Sequence, residues 1–485
     1  MIPANSAKVV IVGGGYAGAT TALHLAKYAR QPLDIQIIEP RPTLGAGLAY
    51  SANDPDHRIN GPHRILMIEA GDLTRFPNWT AATGIEEADK DGWARPSEFY
   101  CRRQEFGVFM AEEVSAAQAS NGSGSRIVHR QARAVSATRS DQGSSVTLDT
   151  GEALAAGLVV VATGNEMPAR PAGLGAELDN DPRYVPNPWD LEHLGSLPKD
   201  ASVLIVGTGL TMGDVVISLL RLGHTGKITA ISRRGLLPQP QADGRDIDKL
   251  LARKSADESR FVAKHGALDK VSAIVRAVRE DVAEAVAAGD GWHMAFDGMR
   301  DGGGVLWRGL SAEERRRYLR HLKPWFETRR YRLAPQIEGR LRRAMAEGQV
   351  TVMAGRTAAI TKAGSRIAVA MKHRGGRFVG EAFDAVINCT GPDGRPSRSG
   401  NSFLASVTEA GIAADDPDGM GLWVGSRARM RSAEGVAMDD WRAIGTLSRG
   451  WYGDLTSVRQ ISLQLADILP DLVAVTDAKS AAAVK

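Results

Sequence analysis

The chain contains 485 residues, which is enough for two or three domains. Hydrophobic residues account for 43% and charged residues for 24%, an ordinary balance for a globular protein with buried cores. The formal net charge of +4 is a mild basic excess, and it requires no nucleic-acid partner.

Two further absences narrow the class of protein. The only cysteines, Cys101 and Cys389, are far apart in the sequence, so we expect neither a disulfide framework nor a metal site. A strand-like run starts close to the first residue, and no apolar run reaches the ~18 residues of a membrane span. We therefore expect a cytoplasmic protein that binds no membrane, and the sequence leaves a homodimer open.

A glycine-rich turn near the start follows an apolar strand-like run and precedes a helix-like one. Its pattern is Gly13-x-Gly15-x-x-Gly18. In a dinucleotide-binding unit, the first glycine permits the tight turn, the second lets backbone N–H groups approach a pyrophosphate, and the third allows close helix packing. Glu39 ends the next strand-like run, 21 positions after Gly18, where an acid accepts hydrogen bonds from a ribose diol. The pattern predicts a dinucleotide site.

A second turn of this kind contains Gly207 and Gly209, but a methionine, Met212, occupies its third position. Counting 21 positions from Met212 gives Arg233, which is followed by Arg234. An arginine where an acid would bind ribose hydroxyls favours a 2′-phosphate, and therefore NADP(H) over NAD(H). The alternative is that both arginines lie in a solvated loop.

The positions of the two turns predict the organisation of the chain. We expect an α/β protein with two Rossmann-like domains, the second inserted into the first. Residues 1–185 would begin the first domain, 186–392 would form the second, 393–470 would return to the first, and 471–485 would be a flexible tail. Strand-like runs end at Thr163-Gly164 and at Thr390-Gly391, and these paired turns mark where the chain leaves each sheet.

An insertion of helical character is predicted in the second domain, from about 240 to 345. Apolar residues from Val271 to Val286 recur at helical spacing, and Gly289 follows as a stop signal. Ser311 and Glu314 form a capping-box pattern before a further helix. Arginines are frequent over residues 315–343, and we interpret most of them as a solvated helix face.

Several segments, in order along nearly the whole chain, together resemble one protein family. It is the bacterial FAD–NAD(P)-binding flavoproteins related to the class B-like flavin monooxygenases with two dinucleotide-binding domains. The matching segments are 12–18, 45–50, 57–60, 102–107, 161–165, 206–212, 232–238, 317–321 and 444–450. The resemblance implies FAD on the first turn and NAD(P)H on the second. One type of member is an FAD-dependent urate hydroxylase, but the substrates of the family are diverse.

Three segments depart from the family pattern. Residues 328–332 replace a His-Arg-His-Arg-like run, Gln241 replaces a histidine, and residues 452–458 replace a Trp-Glu-Thr-Thr-Ala-Val-Pro segment. If these positions line the substrate side, the substrate differs from those of the relatives. The chain also lacks the cysteine pair of disulfide reductases, the Baeyer–Villiger signature, and the tyrosine that N-hydroxylating enzymes have after an Ala-Thr-Gly turn.

The fingerprint and the resemblance together predict the residues that bind the cofactors. They are Gly13, Gly15, Gly18, Glu39, Arg41, Arg102, Thr163 and Gly164 for the first domain, Gly207, Gly209, Thr211, Met212, Arg233, Arg234 and Gly391 for the second, and Gly445, Asp454 and Thr456 in the returning segment.

Four residues are predicted to lie near the chemistry. His57 and Asn60 belong to a loop that would approach the flavin, or they serve only as loop hydrogen-bonding groups. Asp454 precedes a helix whose N-terminus would face the flavin O2 and N1 atoms. Arg329 would bind an anionic substrate or a phosphate, unless it lies on a solvated face.

These features predict an FAD-dependent, NADPH-consuming monooxygenase. Hydride transfer from NADPH to the flavin needs no protein acid or base, and NADH is the less favoured donor. The substrate would be a small polar or anionic metabolite, with nitrogen-containing molecules included, hydroxylated with O2 through a flavin C4a-(hydro)peroxide that the protein shields from water. Two alternatives stay open: an NAD(P)H:acceptor oxidoreductase without oxygenation, and a redox-sensing dinucleotide-binding protein.

Overall fold

A six-stranded sheet forms the centre of the first domain. The computed structural model describes residues 2–3, 6–140, 143–241, 259–300 and 302–482. The strands of this sheet, in spatial order, are Arg429–Arg431, Ala437–Ala443, Leu158–Val161, Lys8–Val12, Asp34–Ile38 and Arg126–Arg130. All neighbours are parallel except the first pair. Its central strands are continuous apolar runs because elements cover both faces.

Helices and two smaller sheets surround this central sheet. The helices are Tyr16–Tyr28, Gly47–Tyr50, Arg75–Ala82, Ile85–Ala88, Arg103–Ala119, Ser402–Glu409, Arg449–Tyr452 and Val458–Ala482. The smaller sheets contain the strands Ala134–Ser140, Gly143–Leu148 and Ala153–Ala156, and the strands Trp93–Arg95 and Glu98–Phe99. After residue 392 the chain adds the strands Arg429–Arg431 and Ala437–Ala443 to the six-stranded sheet.

A seven-stranded sheet forms the second domain. Its strands, in spatial order, are Tyr184–Val185, Ala385–Asn388, Val203–Val206, Ile228–Ser232, Val350–Ala363, Arg366–His373 and Phe378–Phe383. The first five are parallel, and the last two extend the sheet as antiparallel neighbours. The helices of this domain are Leu191–Ser196, Leu210–Arg221 and Pro335–Ala346. The predicted α/β class with two Rossmann-like domains is confirmed.

The helical insertion is also present, although residues 242–258 of the predicted segment lie outside the described part. Its helices are Arg260–His265, Val271–Ala287, His293–Arg300, Gly303–Gly309, Ala312–His321 and Lys323–Arg330. The hydroxyl of Ser311 accepts a hydrogen bond from the N–H of Glu314, at 3.3 Å. The Glu314 carboxylate accepts from the N–H of Val271, at 2.6 Å, so the same motif caps two helices.

The predicted boundary between residues 185 and 186 needs correction. Strand Tyr184–Val185 pairs with Ala385–Asn388 in the second sheet. A bridge between Leu174 and Ile360 shows that the second domain begins earlier still. The crossover after Gly164 runs directly beside the second sheet, so the chain joins this sheet before it reaches the second glycine turn.

The prediction of a flexible tail over 471–485 is wrong for the residues up to 482. Helix Val458–Ala482 continues through Pro470 and packs on the first domain. Leu472 is fully buried, and the hydroxyl of Ser480 accepts a hydrogen bond from the N–H of Ala7, at 3.2 Å. The burial of this apolar face stabilises the helix in spite of the proline. In the described part of the chain, no helix combines the length and apolarity that crossing a bilayer requires.

Buried polar contacts join the two domains. The carboxylate of Asp54 is 1% exposed and accepts hydrogen bonds from the hydroxyl of Ser218, at 2.6 Å, and from the Nε of Arg221, at 2.9 Å. Burial opposes ionisation of Asp54, but these two donors keep its pKa below the usual value. Arg103 and Asp214 form a second ion pair across the same boundary, with Nη1 and Oδ2 at 2.8 Å.

Shortening Leu472 to alanine tests the packing of the terminal helix. Leu472 is 0% exposed and Leu463 of the same helix is 37% exposed. We expect Leu472→Ala to lower the free energy of unfolding by about 2–5 kcal/mol, because it leaves a cavity. Leu463→Ala is the control and should cost less than about 1 kcal/mol. Urea unfolding followed by circular dichroism measures both, and equal effects would contradict the packing described here.

Candidate functional site: two dinucleotide turns and an apolar cavity

The first glycine turn has the geometry of an anion-binding site. Gly13 adopts a positive φ of 102°, and a side chain there would collide with the carbonyl oxygen of Ala162. A side chain at Gly18 would collide with the carbonyl of Gly13. Gly15 is the N-cap residue of helix Tyr16–Tyr28, and no described side chain caps this helix. The N–H groups of its first turn are therefore available to a pyrophosphate.

Glu39 lies directly beside this turn. Its side chain is nearly buried, and its carboxylate accepts hydrogen bonds from the N–H of Gly14, at 3.0 Å, and from Nη1 of Arg41, at 3.0 Å. This position suits the recognition of a ribose diol, as the sequence predicts. Arg41 extends beside Glu39, so the acid also holds the arginine at the edge of the site.

Arg102 and Thr163 lie on the loops that surround the first turn. Arg102 precedes helix Arg103–Ala119, and its N–H donates to the carboxylate of Glu105, at 2.8 Å. The Nε of Arg102 lies 3.5 Å from Asp89. The hydroxyl of Thr163 donates to Glu166, at 3.2 Å, while a side chain added at Gly164 would meet open space.

The second glycine turn repeats the first. Gly207 has a positive φ of 121° and lies against the carbonyl of Cys389. Gly209 is the N-cap residue of helix Leu210–Arg221, and no side chain among the described residues caps the first turn of this helix. These residues fit a second dinucleotide in the same way as the first turn.

Met212 contributes to the core rather than to the cavity. Its side chain is 0% exposed and packs inside the second domain. The close approach that usually needs a glycine at the third position occurs one residue later, where Gly213 lies against Leu333. The buried side chain of Met212 cannot contact a cofactor, so the predicted role in cofactor binding could involve only its backbone.

A cavity of about 680 Å³ lies in front of the second turn. Gly207, Gly209, Thr211, Arg233, Arg234 and Gly391 line it together with Arg356. Arg233 is exposed and forms no hydrogen bond or ion pair with any described residue. Arg234 instead donates to the carbonyls of Arg320 and His321, at 3.2 and 3.3 Å.

Arg356 is a site residue that sequence reasoning missed. Ser232, which precedes Arg233, pairs with Ala354 in the neighbouring strand, so Arg356 lies close to Arg233 at the same sheet edge. Its guanidinium is exposed and has no partner in the described ranges. The signal was absent because strand pairing across about 120 residues cannot be read from a single glycine fingerprint.

A second cavity, of about 500 Å³, lies within the helical insertion. Its walls are mostly aliphatic and aromatic. The apolar lining residues are Val271, Ile274, Val275, Val278, Val282, Phe296, Met299, Leu306, Trp307, Leu310, Leu322, Trp325, Phe326 and Met420. This lining differs from the polar surroundings that a small polar substrate would need.

Asp454 lies in the wall of the apolar cavity and holds a compact polar cluster. Its carboxylate contacts the Nε of Arg330 at 2.8 Å and accepts hydrogen bonds from the hydroxyls of Tyr331 and Thr456. Burial opposes its ionisation, but the Arg330 guanidinium lowers the pKa of Asp454 below the usual value. Burial raises the pKa of Tyr331 well above that of a free phenol, so Tyr331 keeps its proton.

The two cavities share a wall. Glu327 and Tyr331 line both of them, so helix Lys323–Arg330 and the residue after it separate the dinucleotide side from the apolar side. Arg329 faces the apolar cavity, and its Nη1 donates to the carbonyl of Trp325, at 3.2 Å. The arginine-rich segment is therefore partly a cavity wall and not only a solvated face.

His57 and Asn60 lie apart from both cavities. His57 is 2% exposed, and its Nε2 lies 2.9 Å from the Ser218 hydroxyl at the domain boundary. The carbonyl of Asn60 accepts from Gln241, at 3.2 Å, and Gln241 also donates to the carbonyl of Leu333. These contacts are structural, and catalytic roles for His57 and Asn60 stay predictions.

Gly445 and Thr456 lie within the returning segment. The N–H of Gly445 donates to the side-chain oxygen of Gln464, at 2.9 Å. Thr456 and Asp454 directly precede helix Val458–Ala482, as predicted. Within the part of the chain that the structure describes, no cluster of histidine, cysteine or acidic residues is suited to hold a metal ion.

Comparisons with known proteins agree with this geometry. Residues 10–166 match a family model described as FAD-NAD(P)-binding, which confirms this unit around the first glycine turn. No curated protein sequence matches the chain significantly.

Solved structures share the fold over nearly the full length. An L-lysine 6-monooxygenase from Pseudomonas syringae is 16% identical, with a TM-score of 0.61 and coverage of 98% of this chain and 99% of that chain. An ornithine N-hydroxylase from Kutzneria sp. 744 is 14% identical, with a TM-score of 0.61 and coverage of 98% and 100%. An ornithine hydroxylase from Pseudomonas aeruginosa is 16% identical, with a TM-score of 0.60 and coverage of 97% and 99%. The likeness confirms the fold predicted from the family resemblance.

Replacing Asp454 by asparagine tests the polar cluster. Arg330 would lose its buried counter-charge, and we expect a loss of about 3–5 kcal/mol of stability at pH 7. Because the folded-state pKa of Asp454 is lowered, its contribution is present above the unfolded carboxyl pKa of about 3.9 and is lost as the pH falls through the folded value. The difference in the free energy of unfolding between the wild type and Asp454→Asn should therefore be constant from pH 7 to 5. It should become smaller below about pH 4.

Asp439→Asn is the matched control for this experiment. Asp439 pairs with Arg429 at the surface, with 81% of its side chain exposed. Its loss should change stability by less than about 1 kcal/mol. Urea unfolding at several pH values measures all three proteins, and a pH-independent gap for Asp454→Asn would contradict the ionised state of this carboxylate.

Proposed function

We propose that the protein is an FAD-dependent, NADPH-consuming monooxygenase whose substrate occupies the apolar cavity. The observation that supports this proposal most directly is the shared wall. Glu327 and Tyr331 line both the cavity at the second glycine turn and the apolar cavity. A dinucleotide on the second turn and a molecule in the apolar cavity would therefore approach each other at this wall. Bound FAD would supply electron transfer and the activation of O2.

The chain itself would contribute orientation and the exclusion of water. The aliphatic lining keeps the apolar cavity dry, which suppresses the loss of reducing equivalents to side reactions. The Asp454 carboxylate holds the Tyr331 hydroxyl and the Arg330 guanidinium in fixed positions at the end of the cavity. One O2, one NADPH and one proton would give a hydroxylated substrate, NADP+ and water.

The preference for NADPH would come from two arginines. Arg233 and Arg356 lie at the edge of the cavity in front of the second turn, and neither pairs with a carboxylate among the described residues. A 2′-phosphate between them would receive charge-assisted hydrogen bonds. NADH has no 2′-phosphate, so Arg233 and Arg356 would form no charge-assisted hydrogen bond with it at this position.

Reduction of the flavin tests the proposed activity. The protein purified with FAD should be yellow, and NADPH should bleach it in the absence of O2. With substrate and ¹⁸O2, the product should contain one ¹⁸O atom. Bleaching without incorporation of ¹⁸O for any substrate that accelerates NADPH oxidation would instead support an NAD(P)H:acceptor oxidoreductase. Failure of NADPH to bleach bound FAD would overturn both.

Substitution of Arg233 tests the cofactor preference. Arg233→Ala should raise the KM for NADPH by roughly 10- to 150-fold, corresponding to about 1.5–3 kcal/mol for a hydrogen bond to a charged group. The KM for NADH should change little, and Arg356→Ala should act in the same direction. Arg343 is exposed on helix Pro335–Ala346 and does not line the cavity, so Arg343→Ala is the control. Equal effects on both cofactors would refute the role in 2′-phosphate binding.

A further inference from the structure

The long helix of the insertion presents a continuous apolar stripe to the cavity. Val271, Ile274, Val278 and Val282 all line it. At a rise of about 1.5 Å per residue, the stripe from Val271 to Val282 is roughly 16 Å long. Such a length exceeds what a compact amino acid or a purine would cover, and it fits an extended alkyl or aryl group.

The acidic groups of the cavity are already engaged. Asp454 pairs with Arg330 at 2.8 Å, and Glu327 lies 3.6 Å from the Nζ of Lys323. Among the described lining residues, no other carboxylate is present. A positively charged amine in this cavity would therefore lose its hydration and find as counter-charge only Glu327, whose charge Lys323 offsets in part, which is unfavourable.

Basic side chains lie next to the apolar cavity. A neighbouring depression of about 580 Å³ shares Val271, Val275, Arg279 and Leu322 with it and adds Arg276, Arg317 and His321. Arg276 and Arg279 are exposed and make no hydrogen bond or ion pair with the residues that the structure describes.

Helix Val271–Ala287 also contains three acidic residues, Glu280, Asp281 and Glu284. Glu280, one turn after Arg276, is exposed and forms no ion pair with Arg276 or Arg279 among the described residues. Asp281 contacts Lys264 at 2.7 Å and His265 at 2.8 Å, and Glu284 contacts Lys264 at 2.6 Å. These contacts hold both carboxylates beside helix Arg260–His265. Arg276 and Arg279 therefore remain available to an anion that approaches the cavity from the solvent.

We infer that the substrate is an amphipathic anion, with an extended apolar body in the cavity and a carboxylate or similar group held by Arg276 and Arg279. This inference rests on the proposed monooxygenase function and specifies the substrate class of the same site. It replaces the expectation of a small polar metabolite, because such a molecule would leave most of the apolar stripe without a contact. Arg276 and Arg279 lie beside the middle of the stripe, between Val275 and Val282, so the apolar body would extend from them along the helix and across the cavity.

Binding of three probes of one chain length tests the inference. Decanoate, decan-1-ol and decylammonium share the apolar body and differ in charge. Trp307 and Trp325 line the cavity, so the intrinsic fluorescence of the FAD-containing protein reports occupancy. We expect decanoate to bind at least tenfold more tightly than decylammonium, with decan-1-ol between them. Equal affinities for the three probes, or tighter binding of decylammonium than of decanoate, would overturn the inference.

Variants assign the binding to the named residues. The double substitution Arg276→Gln with Arg279→Gln should weaken decanoate about tenfold and leave decan-1-ol unchanged, whereas Arg343→Gln should change neither. Val278→Trp should fill the cavity and weaken both probes. If the double variant bound decanoate as the wild type does, the anion site would be refuted.

Flavin reduction in the same preparation separates the two proposals. If NADPH bleaches the bound FAD but decanoate does not bind, the substrate inference fails and the proposed function stands. If decanoate binds as expected but NADPH does not reduce the flavin, the proposed function fails.

Discussion

The buried carboxylate of Asp54 holds the two dinucleotide-binding domains against each other. It lies in the first domain, and both of its strong donors, Ser218 and Arg221, belong to the helix that begins at the second glycine turn. The ion pair between Arg103 and Asp214 holds the same face of this helix one turn earlier, because Asp214 lies four residues before Ser218. Electron transfer between two bound cofactors needs a fixed separation, because a displacement of about 1 Å from the reactive geometry can lower the rate about 100-fold. The relative position of the two turns therefore depends on buried charges at the domain boundary.

The polar cluster around Asp454 extends this constraint to the helical insertion. Arg330 and Tyr331 belong to the insertion, whereas Asp454 and Thr456 belong to the returning segment of the first domain. The ion pair is almost fully shielded from solvent, so removal of one partner would leave a buried charge. The insertion thus sits on the first domain through a contact that also forms the wall between the two cavities. The contacts of Asp454 with Arg330 and Tyr331 therefore help to fix both the apolar cavity and the wall of the cavity at the second glycine turn.

Local patterns in the sequence were sufficient for the two turns, for Glu39 and for the capping motif at Ser311, because each depends on residues close in the chain. The position of Arg356 depends on strand pairing, and the wall formed by Glu327 and Tyr331 depends on how the insertion docks, so neither could be predicted. The arginine-rich segment was ambiguous because the same composition suits a solvated face and a cavity wall. The alanine-rich end looked flexible because the apolar surface that stabilises its helix lies hundreds of residues away.

The hydrogen bond between Ser480 and Ala7 joins the last described helix to the residue that precedes the first strand, Lys8–Val12. During synthesis, the second domain and its insertion leave the ribosome before the helix that completes the first domain. The second domain can therefore begin to fold before the packing around the first glycine turn is complete. Pairing over such a sequence distance also slows folding, because the chain must close a very long loop before the contact stabilises it. The packing that supports the first dinucleotide turn is thus complete only when residues 458–482 have been synthesised and have docked on the first domain.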